Sequence, residues 1–364
     1  MASIEKVFIT NFKSYKSYSL SIDNNIKHVV VYGYNGVGKT NLLDSISYFS
    51  NSKGLRGSSI EEILPKNQSK DKNTQIEIQI RSLKKNILNF SLRIINDGNQ
   101  FKKKFFLDQR KTSLTKIKDY IKIIWLSPYM DKIMYEGQTL KRNFIDKLIA
   151  QNDGYFNKTM LNLKKDVSER LNILKHSKDE KWLNLIERKI AVYIFEIFDI
   201  RRKYAEKLNM IINTQLNQFR KIRLEYKNKL FSNLQNKDKL TNLFLEELKN
   251  KRELDEITKR THFSINTDEI SIVDIENNIS IDACSTGEQK SSLLTIILAN
   301  CWKLKNDNKE FILLLDEATS HLDAMNFKKL FDEVDKFGTQ IWYTGTHKKL
   351  FQVIENKGFF IHLQ

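Results

Sequence analysis

Apolar and polar positions alternate along residues 4–32 as they do in half-buried strands, first at Val7-Phe8-Ile9 and then at Tyr18-Ser19-Leu20-Ser21-Ile22. His28-Val29-Val30-Val31-Tyr32 breaks that alternation with a β-branched run, which predicts a buried strand. Beyond a glycine-rich stretch, Asn41–Phe49 carries its apolar residues at helical spacing. Three further strand-like runs follow at Gln75–Ile80, Ile87–Ile95 and Phe101–Leu107, with Asn96-Asp97-Gly98-Asn99 as the turn between the last two. They predict an antiparallel section. Ile121–Leu126 reads as another buried strand ending at Ser127-Pro128, and Gly137–Asp146 leads into a helix.

The period then changes. From Gly154 to His262 there is no proline and no further glycine. Ile186, Ile190, Tyr193, Ile197, Ile200, Tyr204, Leu208 and Ile211 step by three and four, a seam suited to helix–helix packing. After His262 the strand pattern returns in Ser264–Ile281 and Phe311–Leu315, and again in Ile341–Thr344 after a helix that Gly338 ends. The expectation is an α/β fold: a mixed β section and a parallel-sheet core over residues 1–150 and 263–364, with a helical lobe, 151–262, inserted between them.

Charge sharpens this picture. The 364 residues carry a formal charge of +17, and residues 154–262 hold 25 Lys/Arg against 15 Asp/Glu. Such an excess suits an acidic polymer, although a Lys-rich solvated surface would look the same. Arg201-Arg202-Lys203 and Arg220-Lys221-Ile222-Arg223 are clusters that could meet phosphates, and Lys102-Lys103-Lys104 reads as a solvated strand. Cys284 and Cys301, with no CxxC, support neither a disulfide framework nor a zinc site. Cys284 reads as a small buried residue. No signal-type apolar core opens the chain, and no run approaches the ~18 apolar residues of a membrane span, so a soluble, cytoplasmic location is expected.

Gly33-Tyr34-Asn35-Gly36-Val37-Gly38-Lys39-Thr40 fits G-x-x-x-x-G-K-[ST] and lies between the predicted strand and helix. In that setting backbone N–H groups and a helix N-terminus converge on phosphate. Lys39 would reach the β/γ-phosphates, and Thr40 would ligate Mg²⁺. Lys13 either reaches a bound phosphate or is a hairpin surface charge; the sequence leaves both open.

A second half-site follows. Ser285-Thr286-Gly287-Glu288-Gln289-Lys290 opens a helix, and its serine and glycine make an anion pocket. Phe311–Leu315 ends in Asp316-Glu317, the Walker B pattern: Asp316 for the Mg²⁺ shell, Glu317 as general base or water-orienting group. Ser320-His321-Leu322-Asp323 makes a turn, and His347 after the last strand is placed to contact a γ-phosphate.

This order of motifs is that of ABC-type ATPases, and within them the chain resembles the RecF family of bacterial recombination-mediator ATPases in the ABC/SMC-like superfamily. The resemblance runs nearly end to end. Beyond the nucleotide motifs it rests on Asn11-Phe12, Gly54-Leu55-Arg56, Leu126-Ser127-Pro128, Gly137 with Arg142, Phe144 and Asp146, Arg170–Leu174, and Trp182-Leu183. Asp-Asp is frequent in the family where this chain has Asp316-Glu317, and no glutamine near Ser127 marks a Q-loop.

The resemblance implies an ABC-type ATPase head that binds ATP and Mg²⁺. Its nucleotide contacts would be Gly33, Asn35, Gly36, Gly38, Lys39, Thr40 and Asn41, faced across ATP by Ser285, Gly287 and Gln289 of a second copy. It further implies weak, DNA-stimulated ATP hydrolysis with Glu317, Asp316, Lys39 and His347 at the chemistry, and an ATP-dependent homodimer. Double-stranded and gapped DNA, RecR and RecO would be its partners, and single-strand gap repair, replication, recombination and the SOS response its setting near the nucleoid.

Two other classes compete. The motor subunit of an ABC transporter would not need a basic helical insertion in the roughly 245 residues between Lys39 and Ser285. An SMC-type head needs a far longer coiled coil than about 100 residues supply at ~1.5 Å per residue.

Overall fold

The computed structural model describes residues 2–50, 53–65, 73–83, 86–96, 100–177, 179–228, 236–263, 268–317 and 322–364. Residues 97–99 of the expected turn, 264–267 of the expected strand, and Ser320 and His321 lie outside them. The chain divides into two compact units, Met1–Asp131 with Ile297–Gln364, and Lys132–Ile296.

The first unit opens with β1 (Ser3–Phe12) and β2 (Tyr15–Ser21), an antiparallel pair, before β3 (His28–Tyr32). β4 (Thr74–Arg81), β5 (Ile87–Asn96), β6 (Phe101–Leu107) and β7 (Arg110–Thr112) then complete a six-stranded antiparallel sheet of order β2-β1-β4-β5-β6-β7. Its inner face is apolar, with Val7, Ile9, Ile76, Ile78, Phe90 and Leu92 at most 1 % exposed. The helix Lys39–Ser47 joins the same core, its Leu42, Leu43 and Ile46 fully buried. Burial of this kind stabilises by about 1.5–3 kcal/mol per side chain, and it fixes the helix that follows the phosphate-binding loop. β8 (Lys122–Leu126) ends this portion.

The second unit is helical with a small sheet. Gln138–Asn152 and Gly154–Asn172 precede the 36-residue helix Glu180–Gln215, about 54 Å long at 1.5 Å per residue. The predicted seam is buried at Ile186, Ile190, Ile197, Tyr204, Leu208 and Ile211, while its Tyr193 and Ile200 are half-buried. β9 (Ile222–Lys227), β10 (Glu269–Asp274) and β11 (Ile279–Ser280) form an antiparallel sheet of order β11-β10-β9. This unit extends past the expected 151–262 at both ends, for a physical reason. β10 pairs with β9 along its whole length, and the helix Gln138–Asn152 is tied to the lobe by Asp146 to Arg201 (2.7 Å) and by Arg142 to the Asp268 carbonyl (2.7 Å).

The helix Thr286–Asn306 leads back to the first unit, where β12 (Phe311–Leu315), β13 (Ile341–Gly345) and β14 (Gly358–His362) join β3 and β8. The order is β14-β3-β13-β12-β8, every pair parallel. β12 and β13 are buried at every position, as their continuous apolar runs require. This parallel arrangement sets the C-terminal ends of β3, β12 and β13 side by side, which is where an open α/β sheet binds its ligands.

Candidate nucleotide site

β3 delivers the chain to Gly33, whose place only glycine fits: a Cβ there would lie 2.2 Å from the Leu363 carbonyl oxygen. Asn35 and Gly36 form the exposed tip of the loop. Gly38 closes it with φ at 103°, a left-handed conformation, and the helix begins at Lys39. The Tyr15 hydroxyl donates to the Gly38 carbonyl (3.0 Å), bracing the turn from the β1–β2 hairpin. Lys39 is 7 % exposed and donates through Nζ to the carbonyls of Gly33 and Tyr34, both at 2.8 Å. Burial lowers its pKa, and the carboxylates of Glu317 and Asp316 act against that shift. The ammonium therefore lies inside the loop with uncharged partners, ready to meet phosphate.

The carboxylate expected to hold Mg²⁺ is in position. Asp316 follows β12, and its Oδ1 accepts from the Thr40 hydroxyl (3.0 Å) and from the Thr344 hydroxyl (2.7 Å). Asp316 is 5 % exposed, and burial raises its pKa while the two threonine hydrogen bonds lower it. The donor set fits a small divalent cation. One hydroxyl and one carboxylate leave the other positions to water and phosphate oxygens, the habit of Mg²⁺. Among the described residues no group of three or more His, Cys, Asp or Glu offers an all-protein cage.

Thr344 was not singled out by its sequence setting, yet it joins the two acids. It donates to Asp316 and accepts from the Glu317 backbone N–H at 2.7 Å. Glu317 has φ at 52°, unusual for a residue with a Cβ, and the threonine holds it there. The only sequence signal for Thr344 was its place at the end of an apolar strand run. Arg56, which the sequence marks only as part of Gly54-Leu55-Arg56 and with no role, also comes to the site. It reaches Asn41 Oδ1 (3.4 Å), lies 5.3 Å from the Tyr129 ring centre, and its charge lowers the Asp316 pKa. His347 is exposed just beyond β13, its ring edge-to-face with Tyr34 of the loop at 6.5 Å. Asn41 bridges Arg56 and the Ser14 hydroxyl (2.8 Å).

Lys13 takes neither expected role. Its Nζ meets the fully buried Asp44 carboxylate at 2.6 Å and the Ser58 hydroxyl at 3.1 Å. Asp44 in turn accepts from the Leu55 N–H (2.7 Å), and a Cβ on Gly54 would lie 2.6 Å from its Oδ1. The pair therefore shapes the glycine-punctuated loop that carries Arg56.

In the second unit, Ser285 and Gly287 are exposed at the start of their helix, whereas Gln289 is buried. Its amide donates to the carbonyls of Ile281 and Cys284, both at 3.2 Å, so it braces the turn instead of facing a ligand. Glu288 is the residue that touches Ser285: its Oε2 accepts from the Ser285 N–H (2.8 Å) and hydroxyl (2.9 Å), a capping box. Arg220 reaches Glu288 at 2.9 Å and Asp274 at 2.6 Å, linking the β9–β10 sheet to that turn. Cys284 is half-buried beside it, its thiol pKa raised by burial.

Of the two basic clusters expected to suit phosphates, only Arg201 is buried, while Lys203 and Arg223 stay exposed, and each of these is matched by carboxylates. Arg201 pairs with Asp146 and Asp268, Arg202 with Asp199 and Glu206, Lys203 with Asp199, and Arg223 with Glu225.

A family model described as the RecF/RecN/SMC N-terminal domain matches residues 3–358. The DNA replication and repair protein RecF of Rickettsia felis is 27 % identical over 368 residues, covering 99 % of this chain and 98 % of the relative. The protein of that name from Rickettsia bellii is 28 % identical over 363 residues, covering 99 % of both. The solved structure of the recombination mediator protein RecF with ATP, in the RecFOR pathway, superposes with a TM-score of 0.82 at 22 % identity, covering 99 % of this chain and 97 % of that one. An Smc head domain from Pyrococcus furiosus, with an extended coiled coil and bound to the C-terminal domain of ScpA, gives 0.56 at 18 % identity, covering 100 % and 94 %.

Proposed function

The chain belongs to the RecF/RecN/SMC N-terminal domain family, and from that premise we propose that it is a RecF-type DNA replication and repair protein worked by ATP. One observation carries the reading. Thr40, Asp316, Thr344 and the Glu317 N–H form a continuous hydrogen-bonded chain, so the loop that binds phosphate and the acid that would orient water are held as one piece. ATP lies with its phosphates over Gly33–Thr40, Lys39 moving from the loop carbonyls to the β/γ oxygens. Thr40 and Asp316 would hold Mg²⁺, which would neutralise phosphate charge there. Glu317 orients the attacking water or takes its proton, and His347 contacts the γ-phosphate.

A second copy completes the site through Ser285 and Gly287. For that, Glu288 gives up the Ser285 hydroxyl and N–H to phosphate oxygens, and Arg220 stands beside it to keep its carboxylate. Only the triphosphate spans both surfaces, so binding closes the dimer and hydrolysis opens it. Duplex and gapped DNA are the proposed partners, with RecO and RecR acting beside it near the nucleoid. DNA contact through phosphates would stimulate slow turnover and depend steeply on salt. Glu317→Gln tests the switch: with ATP it should accumulate as a stable dimer by light scattering and turn over at least about 100-fold more slowly than wild type. A variant that stayed monomeric at saturating ATP would sink the composite site.

A further inference from the structure

Ser285 and Gly287 stand on a foundation that their own motif does not contain. They lie where the short helical turn Ile281–Ala283 meets the helix Thr286–Asn306. Ile281 is fully buried, and the Cys284 N–H donates to its carbonyl at 3.0 Å. Gln289 ties that carbonyl and the carbonyl of Cys284 to the helix. The backbone ahead of Ser285 is therefore braced from inside.

Two ion pairs flank this turn, one on each side of Ser285. After it, Glu288 meets Arg220. Before it, Asp282 meets the ammonium of Lys141, which projects from the helix Gln138–Asn152. The other Asp282 oxygen accepts from the Ser280 hydroxyl at 3.3 Å, so the carboxylate is held at both ends. The Lys141 side chain is 2 % exposed, against 48 % for that of Asp282. Among the described residues Asp282 is the one hydrogen-bond and ion-pair partner of that ammonium. A buried ammonium loses more by leaving water than one half-exposed carboxylate returns, so an apolar side chain of similar length would serve stability as well. Nor does its helix need this pair as an anchor. Arg142 already donates to the Asp268 carbonyl, and Gln138 accepts from the Ile270 N–H at 2.9 Å. What the Lys141 charge does is fix Asp282.

We propose that Lys141 is a positioning residue for the second half-site: by holding Asp282 it sets the turn that presents the Ser285 hydroxyl and N–H to the ATP of a second copy. This role rests on the composite site proposed above. Misplacement by ~1 Å can cost such a site about 100-fold, so a residue that touches no ligand can still govern it.

The test separates ATP binding by dilute, monomeric full-length chain from ATP-driven dimerisation. Lys141→Met keeps the length and removes the charge, and it should bind ATP as a monomer with wild-type affinity. In the Glu317→Gln background it should weaken the ATP dimer about tenfold or more, and with Glu317 present it should slow turnover by a similar factor. Lys141→Arg, which keeps the charge, should restore both. Asp282→Ala, made at the half-exposed end of the pair, should show the same split and gives the reading alone where Lys141→Met does not fold. Added to Lys141→Met it should cost less than about twofold more, because the two residues act as one unit. A Glu317→Gln dimer equally tight with and without Lys141→Met would overturn the role of Lys141 and leave the composite site standing. So would a full further loss on adding Asp282→Ala. A Glu317→Gln chain that stays monomeric at saturating ATP would instead fell the composite site, and this role with it.

Discussion

The nucleotide end of the first unit and the interior of the second handle charge in opposite ways. Lys39 is held by two carbonyls and Asp316 by two hydroxyls, all uncharged. Arg170, Arg201 and Arg220 each meet two carboxylates: Glu187 and Asp255, Asp146 and Asp268, Asp274 and Glu288. A charge held by neutral groups keeps its field for a ligand. A buried charge matched by opposite charges is used up in holding the fold. The difference separates the motif residues proposed to act from basic residues whose charge is matched within the fold.

Breaking the second kind should cost most. Arg170 is fully buried and also donates to the Leu248 carbonyl (2.7 Å), so Arg170→Leu leaves Asp255 buried without its guanidinium. A loss of about 3–5 kcal/mol is expected in urea unfolding, with ATP affinity of the folded protein unchanged. A loss under about 1 kcal/mol would erase the contrast.

Lys39→Met is the converse. It should weaken nucleotide binding about 100-fold or more in calorimetric titration, about 2.7 kcal/mol, and cost less stability than Arg170→Leu, since no buried carboxylate loses its partner. Normal affinity would end the assignment of the loop.

Thr344→Val sharpens the comparison, since it removes a neutral group that holds two acids. Turnover should fall about 10–100-fold with little change in KM for ATP, as when an outer partner of a metal-binding carboxylate is lost. A change confined to KM would mean that the threonine serves binding alone.

The smallest effect is in pH. Burial raises the Asp316 carboxyl, so its folded-state proton is held more tightly than in the unfolded chain. Stability from that protonated form is fully present below the unfolded pKa and lost as pH rises through the folded one. Mg²⁺ needs the carboxylate, so Mg²⁺-dependent ATP affinity should decline on acidification at pH values still above the ordinary carboxylate range. Asp316→Asn should lose that dependence, and an identical pH profile in the variant would assign it elsewhere.

Local pattern was enough for everything that depends on spacing along the chain. The strand, loop and helix over His28–Ser47, the acids after β12, the apolar seam of the long helix and the α/β class all follow from which residues recur at which interval. Tertiary structure alone decided the long-range polar partnerships, because they join residues far apart in sequence. Lys13 finds Asp44 across 31 positions and Thr344 finds Asp316 across 28, while the Arg142 guanidinium reaches the Asp268 carbonyl across 126. It also turned Gln289 into the core, whereas Glu288 meets Ser285 through the local spacing of a capping box. Periodicity says which face of an element is buried. It does not say which distant charge waits on the other side.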